Sequence, residues 1–237
     1  MGFGASTPKT PQQAARFETP GSPEYEAAVA KGLDMSTPAR MARAKEMGFD
    51  TETVLYHGTD KEIASFRPSE RGAFGPGVYL SDQSGVASRY GKPSPYYVRG
   101  SILDTRPGKP LPKGLSDAAK SQLTPEEVQR WERLWPQRNS MAVDAETFRE
   151  VLTRSVEAPR VPEIMRRLGF DGMQGIADGH ELVIFDPSNI RSVNAAFDPK
   201  KSTSSTLLAA SPFAAVSGAG LTSERELGSK MQRDKKD

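Results

Sequence analysis

The fold is decided by Leu55-Tyr56-His57-Gly58-Thr59, by Gly75-Pro76-Gly77-Val78-Tyr79-Leu80-Ser81 and, late in the chain, by His180-Glu181-Leu182-Val183-Ile184-Phe185. These runs carry β-branched and aromatic residues between glycine, proline or polar residues, which is typical of short strands. Two more runs have the same character, from Tyr96 to Asp104 and from Ile190 to Val193. The chain is therefore predicted to form a sheet of short strands.

Helical signals flank and separate these strands. Ser36 is placed as an N-cap with Pro38 in the first turn, and Gly48 is placed to end the helix that follows. Thr124-Pro125-Glu126-Glu127 has the N-cap residue, the proline and the acid of a capping box, which predicts another helix. Further helices are predicted over 23–31, 83–90, 144–155 and 161–168.

The order of these elements predicts the fold class and the domain boundaries. Because strands and helices do not alternate regularly, the sequence favours an α+β fold over a doubly wound parallel sheet. The helices over about 105–168 are predicted to form an insertion or a lid. Few aliphatic residues occur near either end, and such segments bury too little surface to offset the loss of chain entropy. We therefore expect a disordered segment over 1–35, a leading helix over 36–50, a domain over 51–198 and a mobile tail over 199–237.

The composition excludes several classes of protein. The 237 residues include 32 basic and 30 acidic side chains, so no global field draws the chain to nucleic acid or to an anionic membrane. The chain has no cysteine and two histidines, which excludes disulfides, thiol catalysis, and thiolate or histidine-rich metal sites. No apolar run approaches the roughly 20 residues of a membrane span.

His57 and Gly58 are the first candidate site residues. A histidine at the end of a strand, followed by a glycine whose backbone a ligand can approach, suits recognition of an amide and a sugar hydroxyl. A hydrogen-bonded histidine before an ordinary turn fits the same residues, so both interpretations stay open.

Tyr79 and Tyr90 form the second candidate pair. A tyrosine on a strand and one on a following short helix can face each other and hold a flat heteroaromatic ring, although by themselves the two residues fit ordinary core positions better. The glycines at 75 and 77 form no phosphate loop, because no Gly-Lys-Ser/Thr follows, and no dinucleotide fingerprint, because they lead into a strand.

Glu181 is the third candidate. A carboxylate at the start of an apolar strand lies at the rim of a sheet, where it can stabilise positive charge on a ribose carbon and accept a hydrogen bond from the 2′-hydroxyl. The alternative is a carboxylate that only solubilises the end of the strand.

Taken in order, these segments resemble the ADP-ribosyltransferase superfamily, in the histidine-tyrosine-glutamate branch that holds poly(ADP-ribose) polymerases and diphtheria-type toxins. The resemblance covers about 52–198, with 105–165 largely outside it. It rests on Tyr56-His57-Gly58-Thr59, Phe74 to Tyr79, Ala87-Ser88-Arg89-Tyr90 and Glu181 to Asp186. The sequence over 40–50 and 190–198 is similar to that of ADP-ribosyltransferase domains carried by phages and other mobile elements. The resemblance implies a split mixed β-sheet with a helical insertion.

The resemblance also implies how NAD, the substrate of this superfamily, is held. His57 would hydrogen-bond the adenosine ribose, and the Gly58 backbone would hold the nicotinamide carboxamide. Tyr79 and Tyr90 would sandwich the nicotinamide ring, and Thr59 would assist at the ribose.

In the same resemblance, the catalytic residues are His57, Tyr79 and Glu181, and the main chemical role belongs to Glu181. Glu181 would hold the 2′-hydroxyl of the nicotinamide ribose and stabilise the oxocarbenium ion as nicotinamide leaves. No metal is needed. The acceptor is expected to be a macromolecule, a protein before a nucleic acid.

Three departures from the family pattern refine this expectation. Ala87 stands where the polymerases usually place a serine on the carboxamide. Gly179 stands where arginine-modifying relatives place a second acid, so arginine is not supported as the acceptor. The connection from Gly172 to His180 is short, which favours transfer of one ADP-ribose over growth of a polymer.

His180, as a strand neighbour of Glu181, should point to the opposite face and have a structural role.

Three functions therefore remain open. The leading one is a mono-ADP-ribosyltransferase in the cytosol of a bacterial host, with no membrane partner. The second is an NAD glycohydrolase, in which water replaces the acceptor. The third is a phage virion or interaction protein with a non-catalytic module, which the polar ends suggest and the intact site residues oppose.

Two further features carry no catalytic prediction. Trp131 and Trp135 share one helix face, which favours packing onto the domain over binding of a partner. The charged end Lys230–Asp237 is predicted to be a solvated tail.

Overall fold

The computed structural model describes residues 23–61, 63–70, 72–135, 143–176 and 180–207. These residues form an α+β domain built on one seven-stranded sheet with the strand order β4-β5-β6-β2-β1-β3-β7. The strands are β1 (Phe49–Gly58), β2 (Val78–Ser81), β3 (Pro93–Arg99), β4 (Ile102–Asp104), β5 (Gly172–Ile176), β6 (His180–Ile184) and β7 (Ile190–Ser192).

The sheet is mixed and has a narrow junction near its middle. The β4 and β5 strands are parallel, and the other neighbours are antiparallel. The β1 and β2 strands are paired only at Tyr56 and Ser81, whereas β1 pairs with β3 from Phe49 to Gly58. The two halves of the sheet therefore meet at a single residue pair, and they are free to separate beyond it.

Seven α-helices surround the sheet within the described residues. They are α1 (Pro23–Ala30), α2 (Thr37–Glu46), α3 (Ser84–Ala87), α4 (Leu115–Lys120), α5 (Pro125–Leu134), α6 (Ala145–Ser155) and α7 (Arg160–Arg167). Short 3₁₀ helices cover Ser88–Tyr90, Pro187–Asn189 and Pro199–Lys201. No helix among the described residues is long and apolar enough to cross a bilayer.

Helix starts follow the local sequence. The capping box that begins α5 is confirmed: the Thr124 hydroxyl accepts from the Glu127 amide at 3.3 Å, and the Glu127 carboxylate accepts from the Thr124 amide at 2.9 Å. Ser36 precedes α2 as expected, but its side chain makes no capping hydrogen bond. Gly48 follows α2 with a φ of +81°, the left-handed conformation that glycine adopts without strain.

The helices of 105–168 cover one face of the sheet and share a core with it. Phe148, Ile164, Met173 and Val183 are fully buried in this core. Trp131 is 2% exposed in the same core, and its ring stacks on that of Trp135 at 5.0 Å, so the packing interpretation of this pair is confirmed. This region is therefore part of the packed domain and does not form a detached lid.

A second core lies on the opposite face of the sheet. It contains Leu55, Leu80, Leu182 and Ile184 from the strands, together with Phe66 and Leu207 and others. Alternate residues of β2 and β6 thus enter different cores, since successive side chains of a strand point to opposite faces.

Two stretches that composition assigned to disordered ends are ordered. The helix α1 lies within 1–35, and Ala28 packs against Ala196 with both residues buried. Leu207 is 3% exposed, and its amide donates to the Ala64 carbonyl at 2.8 Å. A few buried apolar side chains and main-chain hydrogen bonds fix these stretches, although their average composition is polar. Residues 1–22 and 208–237, including Lys230–Asp237, lie outside the described residues.

Arginine side chains hold the segment after β7. Arg40 donates to the carbonyls of Val193 and Ala195, and Arg43 donates to that of Ala196. Arg191 is fully buried and donates to several carbonyls between Ser188 and Ser204. Burial, followed by the nearby charge of Arg99, lowers the pKa of Arg191 to about 10. In this segment, which continues to Leu207, hydrogen bonds from guanidinium groups to backbone carbonyls take the place of a regular ladder between strands.

Candidate functional site

A cavity of about 630 Å³ opens where β1 and β2 separate. Its lining includes His57 and Gly58 from the end of β1, Tyr79 from β2, Tyr90 from the 3₁₀ helix after α3, and Glu181 from β6. The structure thus brings together five of the six residues that the sequence predicted as a site.

Strand register places Glu181 in this cavity. Glu181 lies opposite Ser81 of β2 on one side and opposite Gly175 of β5 on the other. Side chains of directly opposed residues point to the same face of a sheet, so Glu181 shares a face with Ser81. Tyr79 lies two residues before Ser81 on β2 and therefore points to that face as well. Glu181 is 9% exposed, so its carboxylate lies in a partly water-excluded wall, where electrostatic interactions are stronger than in water.

His57 joins β1 to β2 beyond the last backbone pair. Its Nδ1 lies 2.8 Å from the Tyr79 carbonyl oxygen. A carbonyl only accepts hydrogen bonds, so Nδ1 carries the proton, and Nε2 of the neutral ring is an acceptor. The ring edge also packs on Phe66, with 4.8 Å between centroids. The imidazole is therefore fixed in position and can accept a hydrogen bond from a sugar hydroxyl at Nε2.

Tyr79 is held by the glycine-rich loop before β2. Its hydroxyl donates to the Gly75 carbonyl at 2.6 Å and accepts from the Phe74 amide at 3.0 Å. Burial raises the pKa of Tyr79 to about 12, and the charge of Glu181 adds to the rise. A Cβ on Gly72 would overlap the Tyr79 hydroxyl. The loop glycines therefore hold a neutral tyrosine, a role that their sequence alone did not indicate.

Gly58 allows β1 and α3 to pack backbone against backbone. A Cβ at Gly58 would overlap the carbonyl oxygen of Ala87. Ala87 is itself 4% exposed and lines the cavity. This close approach gives Gly58 a packing role in addition to any contact of its backbone with a ligand.

The two tyrosines differ in exposure. Tyr90 is 58% exposed at the cavity, so the interpretation of Tyr90 as an ordinary core residue is wrong. Tyr79 is half-buried and packs against the helical core, with its ring stacked on Phe74 at 6.3 Å between centroids. One tyrosine is thus a fixed wall of the cavity, and the other lies at its solvent side.

Thr59 and His180 lie outside the cavity lining. The Thr59 amide donates to the Lys92 carbonyl at 3.2 Å, and its hydroxyl accepts from the Lys61 amide at 3.2 Å, so Thr59 belongs to the turn that ends β1. The Nδ1 of His180 lies 3.2 Å from an Asp82 carboxylate oxygen. This cross-strand pair agrees with the structural role expected for His180. Gly179 lies outside the described residues.

The sequence did not identify the segment between β1 and β2 as part of the cavity. Ser65, Phe66, Arg67 and Ser69 all line it. Pro68 interrupts any strand pattern in this segment, and the alternation of Ser65, Arg67 and Ser69 is the only local signal that was available. Within the described residues, no group of three or more histidine, aspartate or glutamate side chains is placed to hold a metal ion.

Comparison with known proteins connects this geometry to one family. The profile of the family described as "ADP-Ribosyltransferase in polyvalent proteins" matches residues 50–197, which include every predicted site residue. No curated protein matches the chain significantly. A solved structure titled "Crystal structure of an anti-CRISPR protein" aligns with a TM-score of 0.28 and 14% identity, over 56% of this chain and 88% of that chain. A likeness at this score is not informative about fold or function.

Proposed function

The chain belongs to the family of ADP-ribosyltransferases in polyvalent proteins, and on this basis we propose that it transfers one ADP-ribose from NAD to a macromolecular acceptor and releases nicotinamide. The observation that supports the proposal most strongly is the single cavity lined by His57, Tyr79, Tyr90 and Glu181. These side chains come from three strands and a 3₁₀ helix. The cavity volume of about 630 Å³ lies in the usual range for small-molecule sites.

The binding roles follow from the chemistry of the lining. Tyr79 provides a fixed aromatic wall and Tyr90 an exposed ring, so a flat nicotinamide ring can stack between them. The Gly58 backbone is available to the carboxamide, while Ala87 supplies no hydroxyl for it. His57 accepts a hydrogen bond at Nε2 from the adenosine ribose. Thr59 lies at the adjoining turn and is a weaker candidate for a ribose contact.

Glu181 is the catalytic residue in this proposal. The bond between nicotinamide N1 and ribose C1′ breaks, and its electron pair leaves with nicotinamide. The carboxylate of Glu181 accepts a hydrogen bond from the 2′-hydroxyl and stabilises the positive charge that develops on the ribose. A lone pair of the acceptor then forms the new bond to C1′, and the acceptor proton passes to solvent. No metal ion takes part in this sequence of steps.

The acceptor in this proposal is a protein of the host cytosol. The short connection between β5 and β6 leaves little room for an acceptor loop that would support polymer growth, and Gly179 does not supply the second acid associated with arginine acceptors. Transfer of a single unit to a residue other than arginine fits both features. A nucleic acid acceptor is less favoured because the chain carries a formal charge of only +2.

The decisive experiment compares wild-type protein with Glu181→Gln in a host-cell extract that contains labelled NAD. Nicotinamide release and macromolecular label are followed together. The matched control is Glu126→Gln, an exposed glutamate on α5. Wild type and the control should label an acceptor, and Glu181→Gln should lose at least about a hundredfold of both signals, because an electrostatic stabiliser of this kind contributes that much or more.

Each other outcome overturns the proposal in a different way. Unchanged labelling by Glu181→Gln would remove Glu181 from catalysis. Nicotinamide release without macromolecular label would identify an NAD glycohydrolase. Absence of both signals in the wild type would favour a non-catalytic interaction or virion protein.

A further inference from the structure

Phe74 supports Tyr79 from behind the cavity wall. Its backbone amide donates to the Tyr79 hydroxyl at 3.0 Å, and its ring stacks on the Tyr79 ring with 6.3 Å between centroids. Phe74 is fully buried and is not among the described residues that line the cavity. A Cβ on Gly175, the β5 residue that pairs with Glu181, would lie 2.6 Å from Cε1 of Phe74. One buried ring therefore packs against both Tyr79 and the strand position beside Glu181.

The helices between β4 and β5 contact this support at two points. The Arg149 guanidinium of α6 lies over the Phe74 ring, with 5.0 Å from Cζ to the ring centroid. On α7, Val161 packs against Gly75, where an added Cβ would lie 3.0 Å from Cβ of Val161. Gly75 carries the carbonyl that accepts from the Tyr79 hydroxyl. The two backbone groups that hold the Tyr79 hydroxyl therefore belong to residues in contact with these helices.

Arg149 is largely withdrawn from water, since its side chain is 12% exposed. The Glu146 and Glu150 carboxylates of the same helix lie 3.8 and 3.9 Å from its Nη2 atom, beyond hydrogen-bond length. Its Nε atom is buried and has no hydrogen-bond partner among the described residues. Removal of a charge from water is unfavourable unless other interactions compensate, and the face of an aromatic ring attracts a guanidinium. The contact with Phe74 therefore supplies part of that compensation and ties α6 to the ring.

We propose that Arg149 is a positioning residue for the nicotinamide ring and acts through Phe74 on Tyr79. This role rests on the proposed function, in which the nicotinamide ring stacks on Tyr79. The guanidinium fixes the Phe74 ring, and the ring and amide of Phe74 fix Tyr79. Because the wall is fixed before the ligand arrives, less freedom is lost on binding and the affinity for nicotinamide is higher. The helices between β4 and β5 thus contribute to the site, although none of their described residues lines it.

Arg149→Met tests this role, because methionine is similarly long and unbranched but carries no charge. Arg149→Lys restores the charge, and Arg154→Met, at an exposed arginine in the last turn of α6, is the matched control. The proteins are isotope-labelled in their tyrosine rings for NMR, and Tyr79→Phe identifies the Tyr79 signal. Nicotinamide and ADP-ribose are titrated separately into each protein. ADP-ribose has no nicotinamide ring, so its affinity reports on the rest of the site.

The Tyr79 signal of Arg149→Met should differ from that of the wild type before any ligand is added. Loss of one cation–π contact should raise the Kd for nicotinamide by about threefold to tenfold, and the Kd for ADP-ribose should not change. The KM for NAD should rise by the same factor with kcat unchanged, because the fixed wall holds the ring equally in the ground state and the transition state. Arg149→Lys and Arg154→Met should stay close to the wild type in every measurement.

Arg149 has no positioning role if Arg149→Met keeps the wild-type Tyr79 signal and nicotinamide affinity. The same conclusion follows if Arg149→Met weakens nicotinamide and ADP-ribose by one factor, as a loss of fold would, or if Arg149→Lys behaves like Arg149→Met. Failure of the proposed function gives a different result, since the wild type would then label no acceptor while the effects of Arg149→Met on Tyr79 and nicotinamide remained. A wild type that binds no nicotinamide would overturn both.

Discussion

The Nδ1 atom of His57 lies 2.8 Å from the backbone carbonyl oxygen of Tyr79. This side-chain hydrogen bond spans β1 and β2 just past Tyr56 and Ser81, where the backbone ladder between them ends. One imidazole therefore joins the two halves of the sheet and also lines the cavity. The structural role of His57 rests on Nδ1 and the proposed ligand-binding role on Nε2, so different substitutions can separate them.

His57→Asn and His57→Ala should give different results. The asparagine amide can donate to the Tyr79 carbonyl but has no counterpart of Nε2. The free energy of unfolding of His57→Asn in urea should stay within about 1 kcal/mol of the wild-type value. His57→Ala should lose about 1–3 kcal/mol, because the buried Tyr79 carbonyl is left unpaired. Nicotinamide release at low NAD concentration should fall in both. Equal destabilisation of the two variants would contradict the structural role, and an active His57→Asn would contradict the role of Nε2.

Gly58→Ala should destabilise the fold, whereas Gly85→Ala should not. A Cβ at Gly58 overlaps the carbonyl oxygen of Ala87 on α3. A Cβ at Gly85, which lies on the same helix as Ala87, meets nothing within 4 Å. Overpacking of this kind costs about 1–3 kcal/mol, and alanine is favoured over glycine in a helix by up to about 1 kcal/mol. Urea denaturation of both variants measures the difference. A Gly58→Ala variant as stable as Gly85→Ala would show that β1 and α3 do not pack this closely.

Sequence patterns predicted the strands at the site but not how they pair. The apolar runs of β2 and β6 are evident locally, whereas the pairing of Ser81 with Glu181 is a long-range register that no local pattern specifies. The resemblance to a known superfamily supplied the grouping of His57, Tyr79, Tyr90 and Glu181 that spacing alone left open.

The segment 65–69 and the end of the described chain were missed for a related reason. Pro68 removes a backbone donor and breaks the strand pattern, and the two bridges of the segment, Ser65 with Thr206 and Ser69 with Gly77, are isolated. Leu207 occurs in a polar stretch. Its burial depends on the hydrogen bonds that arginines such as Arg191 donate to backbone carbonyls of the preceding residues, and composition does not indicate such hydrogen bonds.

Tyr79→Phe provides a test of the alkaline pH dependence of stability. The pKa of Tyr79 is raised from 10.0 to about 12, so the folded state favours the neutral phenol. The stability that this group contributes is present below the unfolded pKa of about 10 and is lost as the pH rises towards 12. At neutral pH, Tyr79→Phe should be about 1 kcal/mol less stable than wild type, because its two hydrogen bonds are lost.

The stability difference between wild type and Tyr79→Phe should therefore shrink or change sign between pH 10 and pH 12. Tyr96, with a pKa also raised to about 12 by burial, is present in both proteins and cancels in the comparison. Urea denaturation at pH 8, 10 and 11.5 measures the trend. A difference that stays constant across this range would mean that the Tyr79 hydroxyl titrates as it does in water.

Leu207→Ala should weaken NAD binding in addition to stability, because Leu207 supports the 65–69 segment, which lines the cavity. Its amide holds the Ala64 carbonyl, and its side chain belongs to the same core as Phe66. Truncation of a buried leucine costs about 2–5 kcal/mol, and Leu115→Ala in the helical core is a control of similar burial. Both variants should unfold at lower urea concentrations, but at 15 °C, with both still folded by circular dichroism, only Leu207→Ala should raise the KM for NAD by several-fold. Equal KM values in the two variants would show that the 65–69 segment keeps its position without the Leu207 side chain, through its bridges to Thr206 and Gly77 and the packing of Phe66.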